Sequence, residues 1–138
     1  MGMARAKLKI TNLIDLANAA KGIIPKSAVR RIEVEAMVDT GSTFVSLPPA
    51  DIEKLGLIFH REVPIRTANG PAKRRLFEGA RVGLNGRDVE MSIMENRKGT
   101  PPLAGVLLLE ALDFVLDPKS QRIIGNPEHH GKWMVDCF

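Results

Sequence analysis

The sequence has few of the residues that most directly indicate a disulfide-bonded, metal-binding or base-stacking protein. It contains one cysteine, one tryptophan and no tyrosine, and aromatic residues make up 4% of its 138 residues. A single cysteine excludes an internal disulfide and gives no sign of a thiolate metal site. So few aromatic side chains also argue against a surface on which nucleic-acid bases stack.

Several sequence patterns are missing as well. No apolar run approaches the roughly 18 residues of a membrane span. The N-terminus shows no apolar segment that ends in a small-residue cleavage site. There is no phosphate-binding glycine loop, no low-complexity segment and no internal repeat. We therefore expect a cytoplasmic protein with no cofactor, no metal and no membrane partner.

The chain carries an excess of positive charge, with a formal net charge of +4 and an isoelectric point of about 9.5. The basic clusters at 30–31 and 73–75 are short. They are interpreted as solvated faces, with a phosphate-binding stripe as the alternative. We expect no nucleic-acid partner.

Length and pattern predict a single all-β domain spanning 1–138. Segment 1–24 is interpreted as an N-terminal strand and loop, with 13–20 left open between a loop and a helical turn, and 125–138 as an irregular C-terminal tail. Many short strands with turn signals indicate a barrel or sandwich. Strands are predicted at 7–11, 31–38, 44–47, 63–67, 75–81, 82–84, 89–93, 114–116 and 122–124. Short helices are predicted at 48–57 and 108–113, and the apolar run 103–109 is interpreted as buried on both sides.

The chain is organised around the strand 31–38 and the residues that follow it, Asp39-Thr40-Gly41-Ser42. A carboxylate delivered by a buried strand into a tight glycine turn is costly unless it is hydrogen-bonded or used for chemistry. Two interpretations follow. Asp39 caps backbone amides of a turn, or it is a catalytic group.

The segment Met37-Val38-Asp39-Thr40-Gly41-Ser42 resembles the active-site turn of aspartic proteases. Leu103-Ala104-Gly105 resembles the second signature of that fold, two apolar residues and then glycine. Each occurs once, so the chain resembles the single-lobe retropepsin-like proteases, in particular a small prokaryotic family of clan AA. Further similar segments follow in order: Leu47-Pro48, Leu55-Gly56-Leu57, Ala68-Asn69-Gly70, Leu109 to Asp113, Asp117-Pro118 and Asn126-Pro127. One departure is Asn69-Gly70, where family members usually carry Asp-Gly.

The resemblance implies a closed single-lobe β-barrel with one or two short helices and an aspartic endopeptidase. Such an enzyme needs two carboxylates that share a proton and activate a water. The other aspartates lack the Thr/Ser-Gly context, so the second carboxylate would come from another copy of the chain. We thus expect a homodimer with Asp39 of both copies on the two-fold axis, acting on a peptide or protein. The alternative is a non-catalytic peptide-binding or scaffolding module that keeps the fold.

The resemblance also implies roles for individual residues. Asp39, Thr40 and Gly41 are the expected catalytic turn, and the Thr40 hydroxyl would hydrogen-bond across the axis. Ser42 either binds the carboxylate or is an ordinary turn serine. The expected flap tip, Ala68-Asn69-Gly70, either covers the substrate or is a plain surface hairpin. Expected structural support comes from Leu103, Ala104 and Gly105. Separately from the resemblance, the scarcity of aromatic residues suggests aliphatic substrate pockets, from residues such as Val45, Leu47 and Val106.

One other candidate site is weaker. His129-His130 is a pair in the predicted tail, and adjacent histidines do not face a single site on a regular element. It is therefore not interpreted as a metal site.

Overall fold

The computed structural model describes residues 4–137, which are mostly β-structure. The strands are β1 Arg5–Asn12, β2 Arg31–Val38, β3 Val45–Leu47, β4 Ile58–Thr67, β5 Gly70–Leu84, β6 Arg87–Glu95, β7 Leu103–Ala104, β8 Phe114–Asp117 and β9 Arg122–Gly125. The α-helices are α1 Leu13–Ala20, α2 Pro49–Leu55 and α3 Val106–Ala111, with short 3-10 turns at Lys26–Ala28 and Pro127–His129. None of the helices between residues 4 and 137 is long and apolar enough to cross a membrane.

Six of the strands close into a barrel. The main sheet has the order β1-β2-β7-β3-β6-β5-β4, and β1 also pairs with β5, for example at Ile10 and Val82. Closure leaves the barrel strands without free edges. β8 and β9 form a separate hairpin. The predicted all-β barrel with short helices is confirmed.

Much of the core comes from alternating residues of the longer barrel strands. In β1 the side chains of Ala6, Leu8 and Ile10 are buried, and Arg5, Lys7 and Lys9, which alternate with them, are exposed. Each large apolar side chain buried in this way stabilises the fold by roughly 1.5–3 kcal/mol. Val45 and Leu47 also belong to the core with no exposed surface. The prediction that these two residues line a substrate pocket is therefore wrong.

The helices are set by their end residues. α2 begins with proline and ends at Gly56, whose φ of +63° is the left-handed conformation that favours glycine. It buries Ile52 and Leu55, as their spacing predicts. Segment 13–20, which the sequence left open between a loop and a helical turn, forms the helix α1. The Asn12 side chain caps this helix by accepting a hydrogen bond from the Asp15 amide at 2.9 Å.

The apolar run after residue 102 differs from the prediction. It forms the two-residue strand β7 and then α3, which begins two residues before the predicted helix and ends two residues before its predicted end. Leu107 is 39% exposed, so the run is not buried on both sides. Short apolar runs do not by themselves distinguish strand from helix. The helical period places Leu108 and Leu109 in the core and turns Leu107 outwards.

The β4–β5 hairpin is longer than predicted. Its turn residues are Ala68 and Asn69, and the positive φ falls on Gly70, at +104°. A bulge between Phe77 and Ala80 bends β5, whose second half belongs to the barrel. In the described structure residues 70–75 pair with β4 alone, so this half of the hairpin extends beyond the barrel as an arm.

Candidate active site

Asp39 is held where two distant segments of the chain meet. It follows directly on β2, which runs parallel to β7 with Val38 opposite Ala104. The Asp39 amide donates to the Ala104 carbonyl at 3.0 Å. The predicted turn and the predicted supporting segment are therefore brought together by backbone pairing.

The Asp39 carboxylate is oriented by its own turn. Its Oδ1 accepts from the Gly41 amide at 3.0 Å, and its Oδ2 accepts from the Ser42 hydroxyl at 2.8 Å. The Ser42 amide also donates to the Asp39 carbonyl at 3.1 Å. Ser42 thus binds the carboxylate, which decides between the two interpretations of that residue. Asp39 also caps a backbone amide, that of Gly41, as the first interpretation expects. Asp39 is half-buried, so its carboxylate remains accessible for chemistry.

Gly105 lies directly behind this turn. A Cβ atom at this position would fall 2.7 Å from the Ser42 carbonyl oxygen and still nearer to that of Phe44. Its φ of −89° suits any residue, so glycine is required by space and not by dihedral angle. The close approach lets the first amide of α3, from Val106, donate to the Ser42 carbonyl at 2.8 Å. Ala104 and Gly105 therefore brace the turn through backbone contacts, and Leu103 pairs with the flanking strands at Met37 and Ser46.

The outer side of the turn is exposed. Thr40 and Gly41 are exposed, and the Thr40 side chain makes no hydrogen bond to the described residues. Leu107 is also exposed, and its amide donates to the carbonyl of Thr43, the residue that follows the turn, at 3.1 Å. An exposed hydroxyl and an exposed apolar side chain are thus associated with the turn segment.

A groove of about 630 Å³ separates the turn from the β4–β5 arm. Its walls include Gly41 and Ser42 on one side and 63–67 on the other. Ser46, Met94 and Leu103 also line it. The predicted flap tip, 68–70, lies beyond the groove-lining residues, and its turn is closed by Thr67, whose hydroxyl donates to the Gly70 carbonyl at 2.7 Å.

A protein-family model described as Aspartyl protease matches residues 26–126, more than two thirds of the chain. The match contains both the Asp39 turn and the segment 103–105. The chain belongs to this aspartyl protease family. The family is one of the retropepsin-like clan, so the resemblance seen in the sequence and the single-lobe fold are confirmed. Membership supports a protease-type function for the chain. No curated protein matches the chain.

A polar cluster around Asp113 has no counterpart among the predictions made from the sequence. This residue is buried and has a φ of +58°. Its Oδ2 lies 2.6 Å from His129 Nδ1 and accepts from the Met134 amide at 3.1 Å, and its Oδ1 accepts from the Asn126 side chain at 3.1 Å. The contact with His129 lowers the pKa of Asp113 and raises the pKa of His129. This cluster fastens the C-terminal tail to the barrel. The sequence signal for this cluster was that segments 109–113 and 126–127 resemble family segments that occur in the same order along the chain.

A second missed cluster precedes β2. Asp15 is buried, and its carboxylate accepts two hydrogen bonds from the Arg30 guanidinium, at 2.8 and 3.0 Å, and one from the Arg30 amide at 3.0 Å. These hydrogen bonds from Arg30 lower the pKa of Asp15. Asn12, next to α1, donates to the Leu55 carbonyl at 2.7 Å. Both contacts tie α1 to neighbouring elements and fix the start of the strand that carries Asp39.

Proposed function

We propose that the protein is an aspartic endopeptidase that works as a homodimer, with one Asp39 from each subunit forming the catalytic pair. The observation that carries the proposal is the Asp39 turn itself. It is hydrogen-bonded, half-buried and next to a groove of about 630 Å³, in a chain of the aspartyl protease family.

The need for a second copy follows from the chemistry. The sequence contains one Asp-Thr-Gly segment, and an aspartic protease uses two carboxylates. A two-fold axis close to Asp39 would bring the same residue from both subunits together, because a two-fold interface is self-complementary. The exposed Thr40 and Leu107 beside the turn support an interface there: the hydroxyl would hydrogen-bond across the axis, and the apolar side chain would be covered.

Two close carboxylates share one proton, because both cannot readily carry a negative charge at short distance. The ionised one takes a proton from a bound water, which attacks the scissile carbonyl. The protonated one donates to the carbonyl oxygen, and a proton then passes to the leaving amine. Gly41 and Ser42 contribute by fixing the carboxylate orientation before substrate binds, which is the state that catalysis requires.

The substrate would lie extended in the groove between the turn and the β4–β5 arm. An extended peptide can pair with exposed strand backbone and place alternate side chains in pockets. The tip at Ala68, Asn69 and Gly70 would close over it, since a hairpin paired only with itself can move without disturbing the barrel. Closure excludes water from the reacting groups.

The test is cleavage of a mixed peptide library by wild-type protein and by Asp39→Asn. Asp88→Asn is the matched control, because Asp88 is exposed and lies in β6, outside the groove. We expect discrete cuts from the wild type and from Asp88→Asn and none from Asp39→Asn, with the same circular dichroism spectrum for all three. Cleavage by a folded Asp39→Asn protein would refute the proposal. Peptide binding without cleavage by the wild type would favour the non-catalytic module.

A further inference from the structure

The groove is lined by positive charge. Arg66, Arg74 and Arg97 are among its lining residues, and none of its described lining residues is acidic. None of the three arginines forms an ion pair with a carboxylate of residues 4–137. Arg75 behaves differently, because its guanidinium donates two hydrogen bonds to the Glu95 carboxylate, from Nε at 2.9 Å and from Nη2 at 2.6 Å. The groove is thus bordered by arginines that have no carboxylate partner among residues 4–137, whereas Arg75 is paired with Glu95.

The register of the β4–β5 arm explains this division. Arg74 lies opposite Val63, and both are half-buried on the face that lines the groove. Lys73 and Arg75 alternate to the other face, where they are exposed. Arg74 has one hydrogen bond within the described chain, from its guanidinium to the Lys73 carbonyl at 2.9 Å. Most of its five donors therefore remain available to a ligand.

One further arginine extends the charge along the groove. Arg97 follows β6 in the loop before β7, so it comes from a different part of the barrel from Arg74. Arg66, near the outer end of β4, borders the groove but alternates to the same face as Lys73. An arginine presents a planar fork that binds a carboxylate through two parallel hydrogen bonds. The attraction strengthens where a closing arm removes water, because the local dielectric falls.

We propose that this groove selects acidic peptide segments, with aspartate or glutamate side chains of the substrate bound by Arg74 and Arg97. The proposal rests on the proposed function in that it uses the same groove. It assigns the substrate class, which neither the Asp39 turn nor the family supplies. The aliphatic lining from Val63, Ile65 and Met94 would receive the intervening apolar side chains.

The test separates binding from cleavage. Short fluorescein-labelled aliphatic peptides are made in sets that differ only by Glu, Gln or Lys at one scanned position. Binding is measured by anisotropy at pH 6, where glutamate is ionised, using Asp39→Asn protein so that no peptide is consumed. Cleavage of the same sets by wild-type protein is followed as kcat/KM. We expect the best Glu peptide to bind about tenfold more tightly than its Gln counterpart, the size of one charge-assisted hydrogen-bonded contact.

Three variants locate the effect. Arg74→Gln, made in the Asp39→Asn background for binding, should remove most of the Glu preference. Arg74→Glu should reverse it in favour of the Lys peptide. Lys73→Gln is the matched control, because it removes the same charge from the adjacent residue on the outer face, and it should leave the preference within about twofold.

The outcomes distinguish the two proposals. Cleavage without a Glu preference leaves the peptidase standing and overturns the acidic selectivity. A Glu preference in binding that is lost in Arg74→Gln but kept in Lys73→Gln supports the selectivity, even if no peptide is cut. Equal binding of the Glu and Gln peptides, no measurable binding of any Glu peptide, or equal losses in Arg74→Gln and Lys73→Gln would each overturn it.

Discussion

Substituting Gly105 by alanine tests how tightly the turn is braced. The added Cβ would lie 2.7 Å from the Ser42 carbonyl oxygen and 2.8 Å from the Thr43 carbonyl carbon. Real Cβ contacts essentially never fall below 3.0 Å, so the Ser42 contact alone must open by about 0.3 Å. These are backbone atoms of the segment 42–44, which packs against the segment that carries Gly105. They cannot rotate away as a flexible side chain would.

The cost can be worked out from what must move. Opening the contact strains the hydrogen bonds from Val106 and Leu107 to the turn, at 2.8 and 3.1 Å, and each such bond contributes about 1 kcal/mol. Overpacking a tight interior adds about 1–3 kcal/mol. We expect Gly105→Ala to lower the free energy of unfolding by about 2–4 kcal/mol. Because the Ser42 hydroxyl holds Asp39, peptidase activity of the remaining folded protein should fall about tenfold or more.

The assay is urea unfolding with Gly83→Ala as the matched control. Gly83 also has an ordinary φ, and the nearest atom to its added Cβ is the Lys9 carbonyl oxygen at 3.6 Å, an ordinary contact. This control should stay within about 0.5 kcal/mol of the wild type or be slightly stabilised. If Gly105→Ala unfolds at the same urea concentration as Gly83→Ala, the steric reasoning is wrong.

Three further predictions concern the turn and the two polar clusters. Ser42→Ala removes the 2.8 Å hydrogen bond to Asp39, so we expect kcat/KM to fall about tenfold while the melting temperature stays within a few degrees; unchanged kinetics would contradict the assigned contact. Arg30→Gln leaves the buried Asp15 carboxylate without its cation, so the protein should melt at a lower temperature than the wild type. The control is Arg61→Gln, which removes the charge of an exposed arginine in β4. Equal melting temperatures for the two variants would refute this prediction. Finally, the Asp113–His129 contact should stabilise the fold most between about pH 4 and pH 6.5. The pKa of Asp113 is lowered in the folded state, so the stability that Asp113 contributes is lost as the pH falls through its folded-state pKa. The pKa of His129 is raised in the folded state, so the stability that His129 contributes is lost as the pH rises through its folded-state pKa. Urea unfolding from pH 3 to 9 should show a stability maximum that is flattened in His129→Gln and unchanged in His130→Gln.

Local signals were enough to predict the parts of the site that lie within one short segment. The turn at Asp39 combines a strand, an acid, a hydroxyl and a glycine in sequence order, and the hydrogen bonds that its carboxylate accepts come from Gly41 and Ser42. The alternation in β1 and β2 predicts their inner faces because a strand has a period of two. The glycine at 56 predicts the end of α2 for an equally local reason.

The features that were missed depend on residues far apart in the chain. Val45 and Leu47 are fully buried, and nothing in the sequence shows that both side chains of so short a strand meet the core. The Asp113–His129 contact joins a left-handed residue after α3 to the C-terminal tail, and no spacing rule connects them.

The charge of the groove depends on strand register in the same way. Whether Arg74 or Lys73 faces the groove is decided by the parity of the β4–β5 pairing, and a shift by one residue would exchange them. The sequence shows a basic cluster at 73–75 but not which of its members is turned towards a substrate.

The central claim is that two copies of Asp39 act together, and a mixing experiment tests it most directly. Wild-type and Asp39→Asn proteins are combined at constant total concentration, allowed to exchange subunits, and assayed on one cleaved peptide. Random pairing in an equal mixture leaves about one quarter of the dimers with two Asp39 carboxylates, so the account predicts about one quarter of the wild-type rate. A rate of about one half, falling in simple proportion to the wild-type fraction, would show that each chain acts alone and would contradict the shared pair.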